Sequence, residues 1–381
     1  MRYPLFKVHV PKKDALWEIE KVIDSGYINE GEQVTVLGQK LESYLRVKNL
    51  VLTNAGTSAL TLALRVAGVS RGDEVISVSM TCIASNTPII NLGAKIVWAD
   101  IDPMTGSIDA NEVRKLITPR TKAIMFVAWA GNPCDLAELG KIGKDFGIPL
   151  IQDAAHAFGA DWNGESISNW ADFTCYSFQA IKHFTTGDGG AIVCRNNKDY
   201  LLAKKLKWFG YDRDAVKDSK GDWKGQRWDA DIFEGEVGYK FNMNNLSAAI
   251  GLSQLNYIDG ILQSHRRNAQ IIADHLVEAK VLRALNLPIE AKSSNWVLTM
   301  LYDGSEDQRN VFLEKLNEKG VGAGLVHLPN HPYSAFKEFH RELKGTEMFS
   351  RKQISLPCGW WLSEEDCVEM CQILLKTASE I

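Results

Sequence analysis

From residue 50 to residue 195 short apolar, β-branched runs recur along the chain: LVLTN, EVISVSM, KIVWADI, KAIMFVA, PLIQDAA, DFTCYSF and GAIVCR. Most are separated by helix-like stretches, which predicts an α/β architecture with a mostly parallel sheet covered on both faces. Between the first two runs, Leu60, Ala63, Leu64 and Ala67 fall at i, i+3, i+4 and i+7. That spacing predicts an amphipathic helix over 57–67, stopping near Gly68 and starting directly after a strand. Leu136, Leu139, Ile142 and Phe146 predict a second helix, closed by Gly147 and followed by Pro149.

After about residue 200 the texture changes. A charged, tryptophan-containing stretch over 212–236 reads as a long functional loop, and a long helical stretch is expected from Leu246 to about Leu276. NWVLTMLY, DQRNVFLEKLNEKG and VGAGLVHL then predict strand, helix and strand, and a helix carrying Met370 and Leu374 ends the chain. The expected organisation is a large domain over 1–245 and a small C-terminal α/β lobe over 246–381, with the first 20 residues packing on the small lobe. The sequence contains no internal repeat.

Composition narrows the function classes. At 381 residues, 45% hydrophobic and 24% charged, the chain can bury a large core. Its 43 basic and 47 acidic residues give a net charge of −4 without a basic face, which argues against nucleic acid as a partner. No window approaches membrane-spanning length, and the first residues, MRYPLFKVHVPKKDALWE, lack a signal-peptide core. The seven scattered cysteines include no C-x-x-C pair, so they read as reduced thiols of a cytoplasmic protein with no metal site.

Candidate chemistry gathers in three places. In YSFQAIKHFTTGDGGAIV, Lys182 stands in a loop between two strands. A buried lysine near another cation keeps enough free amine to form a Schiff base with a carbonyl, and a solvated loop lysine is the alternative. In PLIQDAAHAFGA, Asp153 closes an apolar strand, where open α/β sheets place ligands. It can hold a proton on a pyridine nitrogen and keep that ring electron-poor, or it can simply cap the following turn. In VLTNAGTSALTLAL, Gly56, Thr57 and Ser58 occupy a strand-to-helix turn whose N–H groups suit an anion, unless they form a plain N-cap. Ser177, five residues before Lys182, can add a hydroxyl to the same anion.

These segments resemble the sugar aminotransferases of the DegT/DnrJ/EryC1/StrS group, which are pyridoxal phosphate (PLP) enzymes of the aspartate aminotransferase fold, fold type I. The resemblance runs from SGYINEGEQVTVLGQKLESYL through NAGTSAL, DAAHAFGA, SFQAIKHFTTGDGG and GYKFNMNNLSAAIGLSQL to VHLPNHPYSAF. It implies that Lys182 bonds to PLP, that Asp153 pairs with the pyridinium and that His156 lies against the cofactor. Gly56, Thr57, Ser58 and Ser177 are then expected at the phosphate. It implies a homodimer with shared active sites, in which the loop around Lys240 reaches the other subunit's cofactor. It further implies glutamate as amino donor, a ketone on a nucleotide-linked deoxysugar as acceptor, and a place in amino sugar and polysaccharide biosynthesis. His183, His327 and His331 are the expected substrate contacts.

The sequence departs from the commonest pattern at three points. Cys82, in MTCIASN, stands where many members stack an aromatic ring on the cofactor; GYKFNM carries Lys240 and Asn242 around its aromatic; His183 follows the lysine where Asn is frequent. Two other functions stay open: a PLP-dependent nucleotide-sugar dehydratase, whose known members replace the lysine by histidine, and a noncatalytic regulator of the same fold. GVGAGL follows a helix and is read as a helix cap at Gly320, not a dinucleotide site. Pro329 between His327 and His331 rules out a helical metal face.

Overall fold

The computed structural model describes residues 1–212, 237–276 and 281–381. The segment read as a long functional loop lies, apart from Asp212, outside the described residues. Two helices open the chain, α1 (Lys12–Ser25) and α2 (Glu32–Leu45). The main sheet follows, built from β1 (Leu50–Thr53), β2 (Glu74–Val78), β3 (Lys95–Ala99), β4 (Thr121–Val127), β5 (Leu150–Asp153), β6 (Phe173–Ser177) and β7 (Gly190–Cys194). Each coincides with one of the apolar runs. β1 leads into α3 (Gly56–Val66), β2 into α4 (Ile83–Asn91), β3 into α5 (Ala110–Leu116) and β4 into α6 (Leu136–Phe146), and α7 (Asn197–Leu206) follows β7.

The strand order is β1-β7-β6-β5-β4-β2-β3. Every pairing is parallel except those of β7, which runs antiparallel to both neighbours. A parallel crossover needs a long connection, usually a helix. The link from β6 to β7 has none, so the chain returns antiparallel and leaves Lys182 in a tight loop at the strand ends. Alternate residues of each strand enter opposite cores: Val51, Val75, Met125, Ile151 and Cys175 pack on one face, and Leu50, Leu52, Ile76, Ile124, Leu150 and Tyr176 on the other. Both faces are covered, as a parallel sheet requires.

The helical stretch expected from Leu246 to about Leu276 consists of two helices, α8 (Asn245–Gln254) and α9 (Ile258–Leu276), parted by a turn at 255–257. α8 packs on α1 and α2, while α9 packs on the C-terminal helix. Tyr257 in the turn is held by its hydroxyl to Asp14 of α1 at 2.7 Å. Apolar periodicity runs on through such a turn because it records which face is buried, not which way the axis points.

The smaller sheet has β8 (Leu282–Ala284), β9 (Leu298–Tyr302), α10 (Glu306–Glu318) and α11 (Lys344–Lys352) in sequence before β10 (Gln353–Leu356), and α12 (Glu364–Ala378) ends the chain. Its order is β8-β9-β10. VGAGLVHL, expected to be a strand, makes only isolated bridges, from Val321 to Tyr3 and from Gly324 to Ser355. The third strand is instead the short run QISL at β10. Gly320 does cap α10, in the left-handed region at φ +86°. Tyr3 is buried with Ile272, Phe312, Leu356 and Met370 in a third core. We propose a lobe boundary near residue 245, with α8 at the seam. Among the described residues no helix is long and apolar enough to cross a membrane.

Candidate active site

The carboxyl ends of β5 and β6, and the turn that follows β1, converge on one cleft. Asp153, the last residue of β5, is only 4% exposed. Its Oδ2 accepts from Ser85 Oγ at 2.6 Å and its Oδ1 from the Ala155 N–H at 3.0 Å. Burial raises its pKa above the usual carboxylate range; those two hydrogen bonds and the Lys182 charge oppose the shift.

Lys182 is half-buried in the β6–β7 loop. That loop is tied down by the Phe178 carbonyl, which accepts from the Thr186 N–H at 3.0 Å and from Thr185 Oγ1 at 3.0 Å. Burial lowers the Lys182 pKa to about 8, with Asp153 and then Cys82 pulling the other way. Cys82 itself is half-buried at the start of α4. The lysine ammonium lies 3.8 Å from the centroid of the Trp296 ring.

Beside it, His156 stacks on Trp296 with ring centroids 4.0 Å apart. Its Nε2 is 3.4 Å from His327 Nε2, and its Nδ1 is buried without a protein partner among the described residues. Burial pushes His156 well below the ordinary histidine range, and Lys182 and His327 add to that. Burial likewise lowers His327, to about 4.

At the turn after β1, Ala55 caps α3 without a side-chain bond, and the first N–H paired within the helix is that of Ala59, to the Ala55 carbonyl. The N–H groups of Gly56, Thr57 and Ser58 therefore open toward the cleft. Two glycines keep the turn accessible. A Cβ on Gly56 would meet Ser177 Cβ at 2.9 Å, and one on Gly190 would meet the Gly56 nitrogen at 2.6 Å. The Ser58 hydroxyl, expected at the anion, instead donates to Asn54 Oδ1 at 2.7 Å, leaving only its N–H.

Two of the expected substrate histidines have partners within the protein. His183 is buried, with Nε2 3.0 Å from the Ser294 carbonyl and its ring 4.6 Å from that of His265, so it faces the interior. His331 Nδ1 is 2.7 Å from Ser79 Oγ, and its charged neighbours are His340, Glu347 and Asp100. Lys240 is exposed beside Trp208, with its Nζ bonded to Asn242 and its carbonyl accepting from Asn54 Nδ2 at 3.3 Å. Sequence reasoning missed Ser85, Trp296 and Asn330. Asn330 ties the loop between His327 and His331 to the start of α4, by donating to the Thr81 carbonyl and accepting from Asn86 Nδ2, each at 2.8 Å. None of the three carries a local signal, because each acts on a residue distant in sequence.

The model of the DegT/DnrJ/EryC1/StrS aminotransferase family matches residues 11–375. The chain belongs to that family. MJ1066 of Methanocaldococcus jannaschii, an uncharacterized protein, is 30% identical over 374 residues, 95% of either chain. Among solved structures, the sugar aminotransferase CalS13 from Micromonospora echinospora superposes with a TM-score of 0.90 at 28% identity, covering 99% of this chain and 100% of its own. Spr1654 from Streptococcus pneumoniae, in its PMP-form, does so with 0.90 at 27% identity and 99% of both chains, and it is also solved in a PLP-form. Membership makes this chain a PLP-dependent aminotransferase of fold type I.

The residues present suit PLP. Asp153 is a buried carboxylate awaiting a cation, as the pyridinium is. The α3 turn offers N–H donors to a phosphate in a space that a Cβ at Gly56 or Gly190 would disturb. The unpartnered His156 Nδ1 leaves a polar atom unsatisfied beside Lys182.

The buried imidazoles carry a consequence for stability. Burial lowers His156, His183, His265 and His327 below their ordinary value of 6.5, the last two to about 4. Below pH 6.5 the unfolded chain takes up protons that the folded chain refuses, so stability is full above pH 6.5 and falls as pH drops toward 4. For His265 alone the loss at pH 5 is about 2 kcal/mol. Urea midpoints at pH 7 and pH 5 measure the fall, and His265→Asn, which does not titrate, should flatten it.

Proposed function

We propose that this aminotransferase moves an amino group from glutamate to a keto group of a nucleotide-linked deoxysugar, as a cytoplasmic homodimer whose two sites are each completed by the partner. The observation that carries the reading is the meeting of Asp153, Lys182 and the open α3 turn in one cleft. Support for a sugar acceptor comes from CalS13, a sugar aminotransferase of the same fold over the full chain. Seven cysteines without a disulfide suit a reducing compartment.

Bound PLP supplies an electron sink for the carbanion formed at the donor or acceptor carbon. The protein's own groups do the rest. Asp153 holds a proton on the pyridine nitrogen, and Ser85 and the Ala155 N–H keep the carboxylate aimed. With a pKa near 8, about a tenth of Lys182 is free amine at pH 7, available as nucleophile. When not bonded to the cofactor, the same Nζ would take the proton from the donor carbon and pass it to the cofactor. The N–H groups of Gly56, Thr57 and Ser58, with the Thr57 and Ser177 hydroxyls, hold the phosphate. Lys240, exposed on its own subunit, adds a cation to the partner's phosphate. His327 reaches the sugar from the small-lobe side of the cleft, next to His156.

The test is incubation with a panel of keto-sugar nucleotides and ¹⁵N-glutamate, read by mass spectrometry. Heavy nitrogen in the sugar supports the reading. Loss of a hydroxyl without nitrogen gain makes the protein a dehydratase, and failure to take up PLP makes it a noncatalytic member.

A further inference from the structure

Residues 293–296 form a strap anchored along its length by hydrogen bonds. The Ser294 N–H donates to the Gly131 carbonyl at 3.0 Å and the Trp296 N–H to the Ala130 carbonyl at 2.9 Å. Arg266 Nε donates to the Ser293 carbonyl at 2.9 Å; His183 Nε2 and His265 Nδ1 lie 3.0 and 2.9 Å from the next two carbonyls, those of Ser294 and Asn295. Gly131 sits at φ +99°, and a Cβ there would lie 2.6 Å from Ser294 Oγ. The strap thus has no slack, and it holds out one large side chain.

That side chain is Trp296, 3% exposed. Its indole N–H donates to the Ile181 carbonyl at 2.8 Å, the peptide that immediately precedes Lys182. Its ring carries the Lys182 ammonium at 3.8 Å and is stacked with His156 at 4.0 Å and Phe6 at 4.8 Å. A cation this close to an indole is held by the ring's negative face.

We propose that Trp296 is the positioning residue of Lys182: its indole N–H fixes the backbone at the lysine, and its ring parks the ammonium whenever that amine is not bonded to the cofactor. The role rests on Lys182 being the reactive amine, as argued above. The five groups with which the lysine is electrostatically coupled are Asp153, Cys82, His156, His183 and His327, and a change at Trp296 substitutes none of them. The bare protein, not the loaded enzyme, gives the cleanest reading.

In cofactor-free protein, acylation of Lys182 by acetic anhydride is followed against pH by peptide mass spectrometry, with exposed Lys344 as reference. Trp296→Leu keeps the site apolar and removes the ring face. It should move the Lys182 midpoint down by about half to one pH unit and speed acylation at pH 7 by roughly 3- to 10-fold. Trp296→Phe should fall between Trp296→Leu and the unaltered protein. An unmoved or raised midpoint in Trp296→Leu overturns the proposal, even if the rate rises at every pH through easier access. Should Trp296→Leu not fold, 5-fluorotryptophan labelling serves, with Trp296→Phe assigning the resonance. The Trp296 signal should then move with pH in the unaltered chain and stay still in Lys182→Met; a signal indifferent to pH in both overturns the contact. If PLP never bonds to Lys182, the function assigned to that lysine fails while the contact with Trp296 stands, so the two failures are separable.

Discussion

Lys182→Ala should lower transamination by about 10³-fold or more while the fold survives. The side chain is both the attachment point for the cofactor and the base that carries the proton, so no neighbour replaces it: His156 and His327, imidazoles of the same cleft, are held neutral by burial at low pKa. Folding is not at risk, because the substitution removes a cation that burial already disfavours. The depressed Lys182 pKa means that its stability contribution is full only above its unfolded value near 10.4 and is lost as pH falls through about 8. At neutral pH the cofactor-free alanine variant should therefore melt at the same temperature or about 1–4 °C higher. Steady-state rates, the visible absorbance of lysine-linked PLP and a melting curve check the three parts. Near-normal turnover in this variant would remove Lys182 from the chemistry.

Asp153→Asn should cost about 10²- to 10⁴-fold in turnover, with opposite effects on the two forms of the protein. The amide has nearly the same shape and can still accept from Ser85, but it holds no negative charge against a pyridinium. Burial raises the Asp153 pKa, so this group's contribution to stability is present below its unfolded value near 3.9 and is lost as pH rises through the folded value. In the cofactor-free protein at pH 7 the buried carboxyl group is thus a liability that the neutral amide removes. Thermal stability without PLP should rise, and the extra stability gained on adding PLP should shrink. Melting temperatures with and without PLP, set beside the rates, test this; an equal gain from PLP in both proteins would mean that Asp153 does not meet the cofactor ring.

Much of this site was legible one residue at a time. Asp153 ends an apolar strand, Gly56 opens a strand-to-helix turn, and Lys182 occupies a short link between two strands. These are local facts, and sheet topology turns them into one place, because parallel strands deliver their carboxyl ends to the same edge. The setting of His183 was not legible in this way. Its neighbour Lys182 is in the cleft, yet the ring turns inward to the Ser294 carbonyl and His265, and no property of the sequence near 183 specifies which side of a loop residue faces solvent. His331 has its Nδ1 at Ser79, 252 positions away, a partner the sequence near 331 does not specify. Ser58 was half right: its N–H lies in the helix turn, but Asn54 takes its hydroxyl.

Residue order alone determined the alternation of strands and helices, the apolar faces of β1 to β7, the glycine closures after α6 and α10, and the membership of the chain in its family. Each depends on near neighbours, through backbone conformation and burial periods of two or 3.6 residues. Only the tertiary structure decided the break between α8 and α9, the choice of QISL over VGAGLVHL as the third small-lobe strand, and the arrival of Ser85 and Trp296 at Asp153 and Lys182. Those outcomes depend on which distant partner satisfies a buried hydrogen bond or covers a buried charge, and such a partner is chosen by packing in space, not by position along the chain.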